Sequence, residues 1–395
     1  MKIGILVWDL SIRGGTQRQA LELALYFKKN GSDVIVYSYT LDKTKCYDNL
    51  LDQLDIKSVS SKQKAPEDRN IVKLRKAFSD SMEEYREFVA LMDRDIDILN
   101  PHDQKVYIVA NLYKSKHATP VVWNMNDIPY KGGTLNHFQK IVKKISGVEY
   151  MLNLKTKKYV KDFERIVVLD NSNRKTVQSI FKIRPEVVRS GLDINEFKFH
   201  EKDIDKRNIK LFSNGVIYEH RRIEDTINAI YILRKRGYNV TFNYAGSEKY
   251  AVGYKKKLIK LIDKQKLNDY VIFRGSVSEN ELIDLYRISD VFIFPNCPQT
   301  WGLAVFEAMA LGLPTVITKG CGASEVLDNG ENSLIVDINS PYQIADAVID
   351  LAENKELKNR ISSQGRLFVE KNISWESFGT NMLRIIKSLK QFSST

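Results

Sequence analysis

Cysteine is scarce. Cys46, Cys297 and Cys321 are the three in 395 residues, an odd count with no metal-ligand spacing. That excludes a dense disulfide framework and a thiolate zinc site, and it points to a reducing, cytoplasmic compartment. Histidine is also sparse, with five residues, and His117, His137, His200 and His220 show no ligand pattern, so no metal is expected. The apolar opening Lys2–Trp8 is too short for a signal-peptide core and far too short to span a bilayer, so it reads as a buried strand. Low-complexity tracts, solenoid-period repeats and aromatic-interleaved basic modules are all missing. Nucleic acid is therefore not an expected partner.

What is present fits two globular cores. Hydrophobic residues make up 43% and charged residues 28% of a chain too long for one ordinary α/β domain. The net charge of +12 is uneven: residues 1–200 hold 34 Lys and Arg against 25 Asp and Glu. Within them, 131–165 carries nine basic and three acidic residues. Such a segment is either a solvated lysine-rich helix face or a surface for a polyanion, a phosphorylated acceptor or an anionic membrane. Lys140–Lys161 interleaves lysines with Ile141, Ile145, Val148, Met151, Leu152 and Leu154, a composition suited to an interfacial helix on the inner membrane face.

Strand and helix signals alternate along the chain. Strands are expected at Lys2–Trp8, Asp33–Tyr39, Ile96–Leu99, Pro120–Trp123 and Arg165–Leu169. A second series runs through Lys210–Ser213, Asn239–Tyr244, Tyr270–Arg274, Val291–Phe294, Thr315–Thr318 and Ser333–Val336. Helical patterns fall between them. Successive β-α-β units imply parallel sheets with right-handed crossovers. The expected division is a first α/β domain over 1–199, a polar linker at 200–208 and a second domain over 209–374. A tail helix, Trp375–Phe392, carries Phe378, Met382, Ile385, Ile386 and Leu389 at helical spacing and is expected to dock on the first domain.

The chemistry concentrates after Val291–Phe294. A short polar loop leads into Gly302, then a helix opens at Leu303 and Ala304, with Glu307 one turn beyond Leu303. Free N–H groups at a glycine-opened helix start suit a diphosphate, and a carboxylate one turn on can accept two hydrogen bonds from a ribose diol. Gly-initiated helices are also common for purely structural reasons. Gly14-Gly15 likewise precedes a helix start, either as a plain turn or as a close approach for a ligand. His102, Asn126 and Asp127 follow strand ends, where open parallel sheets place their ligands.

The ordered block Gln299, Phe306-Glu307-Ala308-Met309-Ala310, Gly312, Pro314, Gly320, Gly322 and Glu325 resembles the donor-site signature of retaining glycosyltransferases of family 4. The resemblance covers most of 209–375 and, more thinly, the first domain. It implies the B-type fold, with two Rossmann-like doubly wound domains facing across a cleft. It further implies a nucleoside-diphosphate sugar of UDP or GDP type as donor, a glycan or lipid-linked acceptor, and no metal. On that pattern Gly14, Gly15, Gly215, Arg221, Arg222, Gly302, Leu303 and Ala304 would hold donor phosphates. Glu307 would take the ribose, Ser276 and Val277 would lie near the base, and Gln299 and Asn126 would hold the sugar, with His102 and Asp127 as further contacts.

The chain departs from the pattern in three places. Gln299 replaces the first acid, Val216 replaces an Arg after Gly215, and Asn126 stands where a His is usual. Arg221 keeps the cation at the usual Lys position and suits bidentate contact with a diphosphate. Two other readings stay open: a sugar-nucleotide epimerase of the same fold, and a nucleotide-sugar-binding scaffold without turnover.

Overall fold

The computed structural model describes residues 1–60, 73–126, 156–200, 202–248, 252–297 and 301–392. Asp127, Gln299 and residues 131–155 of the basic 131–165 segment lie outside them. The described chain packs as two units. One holds the residues up to Ser190 together with those from Trp375 onward, and the other runs Gly191–Ser374.

The first unit is a parallel sheet built from β1 (Lys2–Leu10), β2 (Asp33–Leu41), β3 (Asp55–Ser60), β4 (Ile98–Pro101), β5 (Val122–Asn124), β6 (Arg165–Val168) and β7 (Glu186–Val187). Their order is β3-β2-β1-β4 followed by β5-β6-β7, and a single parallel bridge between Leu99 and Val121 links the two runs. Ile3, Ile5, Leu6 and Val7 are wholly buried, as a continuous apolar strand covered on both faces should be. Leu6, Tyr37, Phe88, Val109, Trp123 and Val168 anchor the core.

The second unit repeats the plan with β8 (Ile209–Asn214), β9 (Val240–Ala245), β10 (Val271–Gly275), β11 (Val291–Phe294), β12 (Thr315–Thr318) and β13 (Leu334–Val336), in the order β10-β9-β8-β11-β12-β13. Counted within each unit, both sheets begin 3-2-1-4-5-6, the doubly wound Rossmann order, and the first adds β7 as a seventh strand at its edge. Strand order reverses beside β1 and again beside β8, and those are the places where a crevice opens at the carboxyl ends.

Three features depart from the sequence reading. β3 and β7 are short and half-exposed, and they lacked the apolar run that marks a buried strand. A helix over Lys355–Asn372 also went unread, because its sequence is polar on most of its surface. The expected linker at 200–208 is tied into the second unit. His200 N–H donates to the Leu311 carbonyl (3.0 Å), Lys202 pairs with Asp290 (2.6 Å), and Lys358 Nζ donates to the Lys202 carbonyl (2.8 Å). The packing boundary falls instead at Ser190/Gly191.

The helix Trp375–Phe392 buries Phe378, Met382, Ile385 and Ile386 and packs on the helix Gly15–Lys29 within the first unit. Tyr26 Oη and Thr380 Oγ1 hydrogen-bond at 2.9 Å. The Tyr26 ring lies so close to Gly379 that a Cβ there would sit 2.2 Å from its Cγ.

A buried polar network ties β4 to β5. Asn100 Nδ2 donates to the Val122 carbonyl (2.6 Å) and to Asn124 Oδ1 (3.0 Å), and Asn126 Nδ2 donates to the His102 carbonyl (3.0 Å). With its amide nitrogen donating, Asn100 offers Oδ1 to His102 Nε2 at 2.8 Å, so the imidazole carries its proton on Nε2. Burial of His102 pushes its pKa down to about 3.

Two measurements follow from this packing. Alanine normally stabilises a mid-helix glycine site, but Gly379→Ala is expected to lower stability by about 1–3 kcal/mol through overpacking on Tyr26. Thermal denaturation of that variant reads the sign directly. The unfolded state takes up a proton on His102 below its ordinary value of 6.5, whereas the folded state does so only near 3. Stability therefore falls as pH drops through that window. From pH 7 to pH 5 the loss attributable to this group is about 2 kcal/mol, and urea titrations of His102→Asn are expected to lack it.

Candidate functional site

In the second unit the carboxyl ends of β8 and β11 meet at the switch point. β8 ends at Asn214, and Gly215 follows with its N–H donating to the Ala245 carbonyl (2.9 Å). A one-turn 3-10 helix, Glu219–Arg221, then carries Arg221 back over this turn. The guanidinium carbon lies 2.8 Å from where a Cβ on Gly215 would be, and 5.7 Å from the centre of the Phe294 ring at the end of β11. Glycine on one side and an aromatic face on the other leave a planar cation stacked in place.

Beyond β11, Gly302 opens the helix Leu303–Ala310 in a left-handed conformation, φ +80°. A Cβ at this position would lie 3.1 Å from Cys321 Sγ and 3.2 Å from Phe294 Cε1, so both backbone twist and space call for glycine. Glycine supplies no capping side chain, and the first N–H groups of the helix point toward the crevice end of the sheet. Val305, Phe306 and Ala308 face the core, while Gly302, Leu303, Ala304 and Glu307 are half-exposed. Trp301 is buried against Phe306, with ring centres 4.6 Å apart. Phe294 thus underlies both the stacked Arg221 and the start of the helix.

Glu307 accepts a hydrogen bond at Oε2 from the hydroxyl of Tyr286 (3.0 Å), a buried residue of the helix Glu279–Ile288. His220, beside Arg221, is pushed down to about 4 by burial and by the neighbouring guanidinium, so it is neutral at pH 7.

The other sequence-marked residues are distributed unevenly. Ser276 and Val277 follow the end of β10, on the same carboxyl edge but with β9 between them and β8. Arg222 finds partners of its own beside Arg221. It adopts a left-handed conformation, φ +51°, and its guanidinium makes two 2.9 Å bonds to buried Asp225, with Glu224 at 3.4 Å. Its charge is thus held bidentately at the start of its own helix.

In the first unit Gly14 is extended and leads into the helix at Gly15. Arg13 and Arg18 flank this start, 5.7 and 5.8 Å from the ring centre of Tyr47. His102 and Asn126 are 0% and 7% exposed, and they belong to the β4–β5 network described above. Their buried side chains shape the strand ends. Phe294 and Tyr286 were missed by sequence reasoning. A signal for Tyr286 existed in its amphipathic helix, but helical spacing marks an aromatic as core without saying what its hydroxyl meets.

Among the described residues no group of three or more His, Cys, Asp or Glu side chains is arranged to hold a metal ion, and no helix is long and apolar enough to cross a membrane.

Comparison with known proteins places this geometry. Residues 194–368 match the family described as Glycosyl transferases group 1. Over 137 residues the chain is 33% identical to Bacillus subtilis spore coat protein SA, covering 33% of this chain and 35% of that protein. Over 140 residues it is 34% identical to sucrose-phosphate synthase of Spinacia oleracea, covering 34% and 13%. The matched stretches thus span about a third or less of these two relatives. Among solved structures, Anabaena HepE in complex with UDP-glucose superposes with a TM-score of 0.77 at 16% identity, over 99% of this chain and 100% of that one. Sucrose-phosphate synthase from Thermosynechococcus elongatus superposes with a TM-score of 0.77 at 14% identity, over the full length of both. The chain therefore has the α/β fold, with two Rossmann-like units, of the B-type glycosyltransferases, and its residues 194–368 are similar to the Glycosyl transferases group 1 family.

Proposed function

We propose that the protein is a retaining glycosyltransferase of family 4 type. It transfers a hexose-type sugar from a nucleoside-diphosphate sugar to a hydroxyl of a glycan, lipid-linked or other glycoconjugate acceptor. The observation that carries this reading is the convergence, on one switch point, of the stacked Arg221, the glycine-opened helix start at Gly302–Ala304, and Glu307 one turn further. A fixed cation and a helix N-terminus together suit a diphosphate, and a half-exposed carboxylate beyond them suits the ribose. The complex of the similar HepE with UDP-glucose supports a donor of this class.

In this mechanism the nucleoside diphosphate departs, charge develops on its β-phosphate, and Arg221 with the helix N–H groups stabilises it. The acceptor hydroxyl attacks the oxocarbenium-like carbon from the same face and passes its proton to the leaving phosphate. No protein nucleophile takes part, so the catalytic contribution is positioning plus electrostatics. Gln299 is assigned the sugar hydroxyls, and Ser276-Val277 the nucleobase side. The stacked cation and helix start take the neutralising role of a divalent ion, so the reaction proceeds without a metal. The basic 131–165 segment is assigned to an anionic membrane surface bearing the acceptor.

Differential scanning fluorimetry against UDP, GDP and ADP tests the donor site, since a ligand bound to the folded state alone raises its melting temperature. One of the three is expected to shift it. Arg221→Ala and Glu307→Ala are each expected to weaken that nucleotide about 10- to 100-fold, the range for losing a charge-assisted hydrogen bond. No shift with any of the three would refute the donor site. With the matching sugar nucleotide, turnover is expected to stay within about twofold after EDTA treatment, because stabilisation comes from fixed protein groups. A larger loss, restored by Mg²⁺ or Mn²⁺, would overturn metal independence.

A further inference from the structure

Tyr286 is not one of the residues the donor-site pattern points to, yet its hydroxyl reaches the Glu307 carboxylate in that site. It is wholly inside the second unit at 1% exposure. Its ring packs edge-on against Phe212, with centres 4.9 Å apart and planes at 85°, and against Phe292 at 5.4 Å. Its helix is fixed at its start by a reciprocal cap between Ser278 and Glu281. The phenol oxygen is therefore held from three sides before any ligand arrives. It lies 3.0 Å from Glu307 Oε2 and 3.2 Å from the Ala304 carbonyl, and the side-chain amide of Asn214, at the end of β8, lies against it.

The chemistry allows one direction for this contact. Burial, and next the charge of Glu307, hold the Tyr286 hydroxyl well above the usual tyrosine range, so it stays protonated and donates. A buried tyrosine could satisfy its hydroxyl on any nearby carbonyl, and the Ala304 carbonyl is present. Here it also engages a half-exposed carboxylate whose side chain, alone on a helix surface, would sample several rotamers. A glutamate that must be ordered on binding loses affinity through that ordering, and one ordered in advance does not.

We propose that Tyr286 is a positioning residue of the donor site: its hydroxyl fixes the Glu307 carboxylate in the rotamer that receives the ribose hydroxyls, so recognition of ribose depends on a phenol that never touches the nucleotide. The inference rests on the reading of Glu307 as the ribose ligand, and the experiment separates the two. Tyr286→Phe deletes one oxygen and leaves the ring contacts with Phe212 and Phe292, so the variant is expected to fold, which far-ultraviolet circular dichroism and a melting curve verify.

Calorimetric titration then uses whichever of UDP, GDP or ADP stabilises the wild type, alongside its 2′,3′-dideoxy counterpart. The wild type is expected to prefer the ribose compound by at least about tenfold. Tyr286→Phe is expected to weaken the ribose compound about three- to tenfold while binding the dideoxy compound within about twofold of wild type. Glu307→Gln is expected to lose the same preference, and the double variant is expected to be no weaker than Glu307→Gln alone, because the two groups act as one unit.

If Tyr286→Phe keeps the ribose preference while Glu307→Gln loses it, the positioning role is wrong and the ribose reading stands. If Tyr286→Phe weakens both nucleotides equally, the tyrosine acts only through general structure and the proposal fails. If the wild type shows no ribose preference, or Glu307→Gln retains it, the reading of Glu307 itself fails and takes this inference with it.

Discussion

Parallel strand pairing is the constraint from which the rest of this molecule follows. A parallel neighbour can be reached only by crossing back over the face of the sheet, and crossovers of one hand send the chain to one side of the starting strand and then to the other. In the second unit β8 is that starting strand, with β9 on one side and β11 on the other. The two connections leaving β8 and β11 therefore diverge, and the carboxyl edge between them is left without a covering helix. Everything placed there, from the Gly215 turn to the helix at Leu303, is there because the topology leaves that edge open. The first unit obeys the same rule around β1 and β4, where it builds a glycine-led helix start and a buried amide–imidazole network instead.

Within the open edge, packing decides which charges can act. Arg221 and Arg222 are adjacent and chemically identical, but their surroundings separate them. One is stacked between a glycine and a phenylalanine ring, and the other is clamped by Asp225 at the start of its own helix. A left-handed backbone at Arg222 turns the two side chains apart. No count of basic residues distinguishes such neighbours; only the partner each one finds does.

That difference also measures how much was legible in the sequence. The buried strands Lys2–Leu10 and Val291–Phe294 announced themselves as unbroken apolar runs, and Gly302 and Glu307 stood in an ordered block whose spacing carries its own chemistry. β3 was hidden because Asp55, Lys57 and Ser58 interrupt its apolar residues, as befits an edge strand with little to bury. The Lys355–Asn372 helix was hidden because only a narrow stripe of it, including Ile361 and Val369, faces the core. His102 and Asn126 sat at the right strand ends for ligand contact, but sequence position could not reveal that Asn126 would donate to the His102 carbonyl and that the His102 imidazole would meet Asn100. Contacts between residues far apart in the chain, such as Tyr286 with Glu307 or Arg221 with Phe294, need the fold before they can be seen.

The docking of the last helix against the first gives the chain an order of assembly. The first unit lacks a wall until residues beyond Trp375 have left the ribosome, whereas Gly191–Ser374 is contiguous and can close its core as soon as it emerges. Synthesis runs from the amino end, so the unit begun first is finished last. During that interval the apolar face that receives Phe378, Met382 and Ile386 stays uncovered on a nascent polypeptide. A translational pause or truncation near the carboxyl end would therefore injure the amino-terminal half of the molecule and leave the other half intact.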